Sequence, residues 1–170
     1  MIVKPHYFKG LEWERTKFWL ESGKKDRILT VVSGGFDPIH SGHIRMISEA
    51  SKLGDLLIVV INGDGFLQRK KKYNFMEEGE RAYIANAIQG VDYVTIWDDG
   101  TQFVHGALEL IKPNIFANGG DRGNDDQIPK EETAVCDRWG IKRVYGVGGN
   151  VKMNSSSELV ENMQNLKENK

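Results

Sequence analysis

The run Arg27-Ile28-Leu29-Thr30-Val31-Val32 is apolar and β-branched, and after Ser33 it breaks at two glycines, Gly34 and Gly35. That composition reads as a buried strand ending in a turn. Ile44, Ile47, Ala50 and Leu53 then recur at helical spacing, with Pro38 delaying the helix and Ser41 placed to cap its first turn. A strand passing through a glycine turn into a helix is the first half of a parallel crossover unit, and it restricts the fold accordingly.

The alternation continues to the end of the chain. Strands are expected near Ile28 to Ser33, Asp55 to Ile61, Tyr93 to Trp97, Asn114 to Ala117 and Lys142 to Gly146. Helices are expected over Ser41 to Leu53, Glu77 to Gln89, Phe103 to Ile111, Lys130 to Trp139 and Ser155 to Lys167. The fold class is therefore α/β: a single Rossmann-like, doubly wound, five-stranded parallel sheet with helices on both faces. Leu11 to Ser22 adds an N-terminal helix, ended at Gly23, whose aromatics suit a core or dimer contact. The organisation is an arm and helix over 1–26, then one domain over 27–170. Ligands of such sheets sit beyond the carboxyl ends of the strands, so the loops after strands are where chemistry belongs.

Composition narrows the partners. A net charge of −1 gives no global pull toward nucleic acid or an anionic membrane, so any basic site is local. The mean hydropathy of −0.46 and the lack of a long apolar window point to a cytoplasmic protein with no membrane contact. The one cysteine, Cys136, excludes an internal disulfide and reads as a buried bystander.

Four stretches carry candidate chemistry. In the first, Gly34, Gly35, Phe36 and Asp37 form the turn, and His40 and His43 flank Gly42 at the start of the helix. Glycines let backbone approach a ligand, and a helix N-terminus with two imidazoles favours an anion. The second is Arg69-Lys70-Lys71-Lys72 after the second strand, where consecutive cations repel unless solvated or met by a polyanion. The third is Gly119-Gly120-Asp121 after the fourth strand, with a carboxylate able to accept from nucleoside hydroxyls. The fourth is Ser155-Ser156-Ser157, three hydroxyls opening the last helix where a cap needs one.

Gly34-Gly35-Phe36-Asp37 followed by His40-Ser41-Gly42-His43 resembles the signature of the nucleotidyltransferase superfamily, and the likeness covers about residues 28 to 165. The resemblance implies transfer of a nucleoside monophosphate from ATP or CTP to a phosphorylated sugar or polyol, with pyrophosphate released and Mg2+ required. It implies catalytic roles for His40, His43, Lys70 and Lys72; spacing back from Arg81 puts the two lysines on phosphate-contacting positions of glycerol-3-phosphate-type cytidylyltransferases. It also implies nucleotide binding by Gly34, Gly35, Phe36, Asp37, Gly42, Gly119, Gly120, Asp121, Ser155, Ser156 and Ser157, and an acceptor- or phosphate-holding role for Arg81. Taken on its residues alone, Arg81 is a surface partner of Glu77, and Asp37 is turn-forming beside Pro38 or a magnesium positioner. Gly119-Gly120-Asp121, with Leu110 to Asn114 before it, looks like the heptose-1-phosphate adenylyltransferase branch. Asn150 stands where the cytidylyltransferase branch usually has an arginine, although Lys152 could replace the charge. The reading leans to a sugar-1-phosphate adenylyltransferase, with a cytidylyltransferase or a non-catalytic nucleotide sensor as alternatives. A homodimer is implied by the family. A dinucleotide-binding fingerprint is not present after the first strand.

Overall fold

In the computed structural model, which describes residues 17, 18, 20–22, 25–120, 122–149 and 155–168, five parallel strands lie in the order β3-β2-β1-β4-β5. They are β1 (Leu29–Gly34), β2 (Leu56–Asn62), β3 (Tyr93–Trp97), β4 (Ile115–Gly119) and β5 (Lys142–Val147). The helices described are α1 (Ser41–Ala50), α2 (Asp64–Lys71), α3 (Glu78–Asn86), α4 (His105–Ile111), α5 (Lys130–Trp139) and α6 (Ser156–Glu168).

Strand β1 is central, with Val31 in register with Ile58 of β2 on one side and Phe116 of β4 on the other. All of β2 is buried, as a parallel strand covered on both faces must be. Successive side chains divide between two cores. Val31, Ile58, Val60 and Phe116 pack with Phe66 and Leu67 of α2, Leu108 of α4, and Val135 and Cys136 of α5. Val32, Leu57, Val59 and Ala117 pack with Ile47 of α1 and with Ala82 and Ala85 of α3. Leu20, in the helical part of the described N-terminal residues, joins the first of these cores.

At the amino end of the sheet, polar side chains satisfy strand starts. Asp55 accepts from Ile28 N at 2.8 Å, Asp92 from Leu57 N at 2.8 Å and Asn114 from Leu29 N at 2.9 Å. That end is consumed by structure. The carboxyl end is where the topology opens: β2 and β3 are laid to one side of β1, then β4 and β5 to the other. The crevice between the ends of β1 and β4 is the switch point of the sheet.

Two local expectations are revised. Helix α2 was not anticipated, because Phe66 and Leu67 are its only buried residues and leave no apolar periodicity to read. Ser41 does not cap α1; His40 does, and Ser41 is the first helical residue. Most of the expected N-terminal helix, including Leu11, Trp13 and Trp19, lies outside the described residues. Among the described residues no helix is long and apolar enough to cross a membrane.

Candidate active site

The turn after β1 is built from beneath by two buried charged side chains. Asp37 is fully buried, and its two carboxylate oxygens accept from Phe75 N and Met76 N, each at 2.7 Å. Arg81 is also fully buried, donating from Nη1 to Gly35 O at 2.6 Å and Asn62 O at 2.7 Å, from Nε to Met76 O at 3.0 Å, and from Nη2 to Asp64 at 2.7 Å. Together they tie the end of β1, the end of β2 and the approach to α3 into one rigid base. This corrects the readings of both residues. Arg81 is neither a surface partner of Glu77 nor placed to touch an acceptor, and Asp37 has both oxygens engaged by amides rather than open to a nucleotide or magnesium ion.

Phe36 follows with φ of 48°, left-handed backbone for a non-glycine residue. That conformation costs about 1–2 kcal/mol, and burial of the phenyl ring, worth roughly 1.5–3 kcal/mol, offsets it. The ring folds back so closely that a Cβ on Gly34 would lie 2.9 Å from its Cζ. Its other side meets His43 edge-on, with ring centroids 5.0 Å apart.

His40 and His43 stack with centroids 3.8 Å apart and planes 25° from parallel. His40 Nδ1 accepts from Gly42 N at 3.1 Å, while His43 Nδ1 accepts from His40 N at 3.3 Å. The two imidazoles therefore replace the usual serine and glutamate of a capping box. A consequence for chemistry follows. With each Nδ1 held as an acceptor, the proton of the neutral ring resides on Nε2, giving two N–H donors on stacked rings at the N-terminus of α1. Burial pushes the pKa of His40 down, and it lowers that of His43 to about 3, with His40 and Lys71 adding repulsion. Gly42 permits the arrangement, since a Cβ there would come 2.9 Å from His40 Cε1.

The four cations of α2 separate by helical angle. Arg69 turns away, donating to Asp98 and to Thr101 O. Lys70 lies over the Phe66 ring at 5.8 Å and faces Arg122 and Glu132. Lys71 stands over the glycine turn, its Nζ 3.8 Å from where a Gly35 Cβ would be. Its nearest charges are Asp37, Arg81 and Lys70, and burial lowers its pKa. Lys72 is the exposed left-handed cap of α2, with φ of 71°. Of the two lysines expected at the phosphates, Lys72 is thus an exposed cap and Lys70 lies toward Arg122 and Glu132. Lys71, which sequence reasoning passed over, is the one beside the histidines. It falls one helical turn after Leu67, whose methyl group would lie 2.9 Å from a Gly35 Cβ, and that placement is not readable without α2.

Among the serines, Ser155 is spent on a cap, its hydroxyl accepting from Glu158 N at 3.1 Å while Glu158 accepts from Ser155 N at 3.0 Å. Ser156 donates to Pro38 O at 2.9 Å, fastening the N-terminus of α6 against the loop that carries His40. Ser157 is exposed. Gly119 ends β4 beside the end of β1, and Gly120 continues the turn. Asp121, Asn150 and Lys152 lie outside the described residues. Among the described residues no group of three or more His, Cys, Asp or Glu side chains is placed to hold a metal ion.

A glycine turn and paired imidazoles at the carboxyl end of the central strand, with Lys71 of α2 over the turn, present N–H donors and a cation of the kind an anion requires. Residues 31–162 match the sequence profile of the family described as Cytidylyltransferase-like. The chain belongs to the cytidylyltransferase-like family. Among curated relatives of this family member, the protein described as bifunctional protein HldE from Aliarcobacter butzleri is 31% identical over 142 residues, 82% of this chain and 28% of the relative. The HldE of Pelobacter propionicus is 37% identical over 116 residues, 65% of this chain and 22% of the relative. The chain therefore spans less than a third of these curated relatives. A lipopolysaccharide core biosynthesis protein from Thermoplasma volcanium superposes with a TM-score of 0.58 at 27% identity, covering 71% of this chain and 94% of that one. Pantoate-β-alanine ligase from Francisella tularensis shares the fold, with a TM-score of 0.58 at 15% identity, 83% of this chain and 66% of that one.

Proposed function

We propose that this cytidylyltransferase-like protein is a nucleotidyltransferase that moves the nucleoside monophosphate of ATP onto a heptose-like sugar 1-phosphate, releasing pyrophosphate. The observation that carries the reading is the backbone-locked histidine pair, two Nε2–H donors side by side at a helix N-terminus with Lys71 beside them. An oxygen of the acceptor phosphate attacks the α-phosphorus of the triphosphate, and the bond from that phosphorus to the bridging oxygen of the β-phosphate breaks. Both reactants are anions, so the task is positioning and charge neutralisation rather than supply of a covalent nucleophile. His40 and His43 donate to the α-phosphate as charge builds on it, Lys71 neutralises the adjacent chain, and the N-terminus of α6 faces the leaving group. Because the pair is neutral, each ring donates its Nε2–H as a hydrogen bond while being too weak an acid to transfer that proton.

Magnesium enters this scheme as part of the metal–nucleotide substrate, held by phosphate oxygens and waters, since Asp37 is engaged by the amides of Phe75 and Met76. The resemblance of Gly119-Gly120-Asp121 and its preceding residues to the heptose-1-phosphate adenylyltransferase branch favours ATP and a sugar 1-phosphate. The cytidylyltransferase alternative leaned on a Lys70 and Lys72 pair, and Lys72 faces solvent. A homodimer and a cytoplasmic location belong to the same proposal, the former read out by sedimentation. The deciding assay is pyrophosphate release with magnesium, ATP or CTP, and a heptose 1-phosphate or glycerol 3-phosphate. Release with ATP and the sugar phosphate is expected, and a His43→Ala variant should lose at least about a hundredfold in turnover, as for one preorganised donor. Release with CTP and glycerol 3-phosphate alone would replace this reading with the alternative.

A further inference from the structure

At the N-terminus of α5 lies a buried carboxyl group that the scheme above does not use. Glu132, in the first turn of α5, is 4% exposed. One oxygen, Oε1, accepts from Val104 N at 3.1 Å, whereas Oε2 is shielded from water and accepts no hydrogen bond among the described residues. A buried carboxylate oxygen without a donor is a cost the fold carries for some return. Burial raises its pKa, and the Val104 amide and the charges of Arg122, Lys70 and His105 act against that rise. Arg122 is held at the end of β4, its amide donating to Gly119 O at 3.0 Å and its Nη1 to Asn118 Oδ1 at 3.4 Å. Burial lowers the pKa of Lys70, and repulsion from Arg122 lowers it further.

We propose that Lys70, Arg122 and Glu132 form the acceptor subsite, the two cations taking the phosphate of a sugar phosphate and the Glu132 carboxylate taking a hydroxyl of its ring. This rests on the nucleotidyl-transfer reading. Its geometry comes from α2: Lys70 and Lys71 are successive residues about 100° apart around the helix axis, so one faces Glu132 and the other the histidines. A reaction between two anions needs one cation for each, brought to a common boundary where the acceptor oxygen meets the α-phosphorus. An arriving phosphate draws the flexible Lys70 and Arg122 side chains to itself, relieves their repulsion and opens the orphaned oxygen to an adjacent hydroxyl. Glu132 is then the specificity-determining residue, separating a sugar phosphate from a simpler phosphate that leaves the carboxylate unpaired.

Calorimetric titration of the full chain tests this with ATP, a heptose 1-phosphate and glycerol 3-phosphate as separate probes. Wild-type protein is expected to bind the heptose 1-phosphate more tightly than glycerol 3-phosphate. Arg122→Ala should weaken both by at least tenfold. Glu132→Gln, which keeps an oxygen for Val104 N, should weaken the heptose 1-phosphate by at least tenfold and glycerol 3-phosphate by less than threefold. ATP affinity should stay within twofold in both variants. Arg122 is outside the core, so its variant reports even where Glu132→Gln fails to fold. No binding of the heptose 1-phosphate by the wild type, unchanged affinity in Arg122→Ala, or parallel loss of ATP binding would overturn the subsite. Glu132→Gln indistinguishable from wild type would overturn the part given to the carboxylate. Wild-type binding of ATP and sugar phosphate without pyrophosphate release would defeat the reaction proposed above while leaving the subsite supported.

Discussion

Replacing Arg81 separates two accounts of that residue. Its guanidinium is wholly buried and donates to three backbone carbonyls, Gly35 O, Asn62 O and Met76 O, at 2.6–3.0 Å. Each charge-assisted bond of this kind contributes about 1.5 kcal/mol or somewhat more. The ion pair with Asp64 adds less, because that carboxylate is 32% exposed and water can replace the partner. Arg81→Ala should therefore cost roughly 4–5 kcal/mol, within the usual range for removing one partner of a buried charged network. For a chain of this size, that corresponds to a fall in Tm of about 10–20 °C. Arg81→Lys keeps the charge but cannot span three divergent acceptors, and should lose about half as much. Thermal unfolding followed by circular dichroism measures both, and acceptor and nucleotide KM values should rise together because Gly35 is displaced. A Tm within 2 °C of wild type, with only the acceptor KM raised, would refute the structural role and restore Arg81 to the acceptor.

Lys71→Ala should raise the KM for ATP by at least about tenfold, as loss of one charged phosphate contact does, while Lys72→Ala stays within twofold; steady-state kinetics compares them. Gly42→Ala should cut kcat by at least about tenfold with little change in Tm, since its Cβ would push His40 off the cap, 2.9 Å away. His43, with a pKa lowered to about 3, should remain neutral and Nε2-protonated in an NMR titration down to pH 5. The unfolded chain takes up that proton near 6.5, so the stability His43 contributes is complete above pH 6.5 and is lost as pH falls toward 3. The slope in that window should not exceed about 1.4 kcal/mol per pH unit for this group in denaturant titrations, and its absence in wild type relative to His43→Ala would count against the shift.

The alternation of strands and helices was legible because parallel strands covered on both faces read as apolar runs, and because α1 and α5 carry apolar residues at helical spacing. Helix α5 spans Lys130–Trp139, as expected from the sequence, and β3 spans Tyr93–Trp97. The histidine turn was legible for a similar reason, since glycines, proline and histidines together leave few conformations open. What local reading could not supply was direction. Four consecutive cations look alike in sequence, and only the 100° step of α2 sends Lys71 toward the histidines and Lys70 toward Glu132, while the left-handed cap leaves Lys72 in solvent. Nor does spacing reveal that Asp37 and Arg81 are spent on backbone groups 38 and 46 residues away, because those partners are brought together by the sheet. Glu132 carries no motif at all; its isolation is visible only once Val104 has taken one of its oxygens.

The most direct test of nucleotidyl transfer is a 31P NMR time course of the protein with magnesium, ATP and a heptose 1-phosphate. Attack at the α-phosphorus should convert the ATP and sugar phosphate signals into the two coupled resonances of a nucleoside diphosphate sugar, with pyrophosphate appearing in equal amount. ADP and a doubly phosphorylated sugar would mean attack at the γ-phosphorus, and unchanged spectra would mean no transfer; either result would contradict the mechanism assigned to the histidine pair.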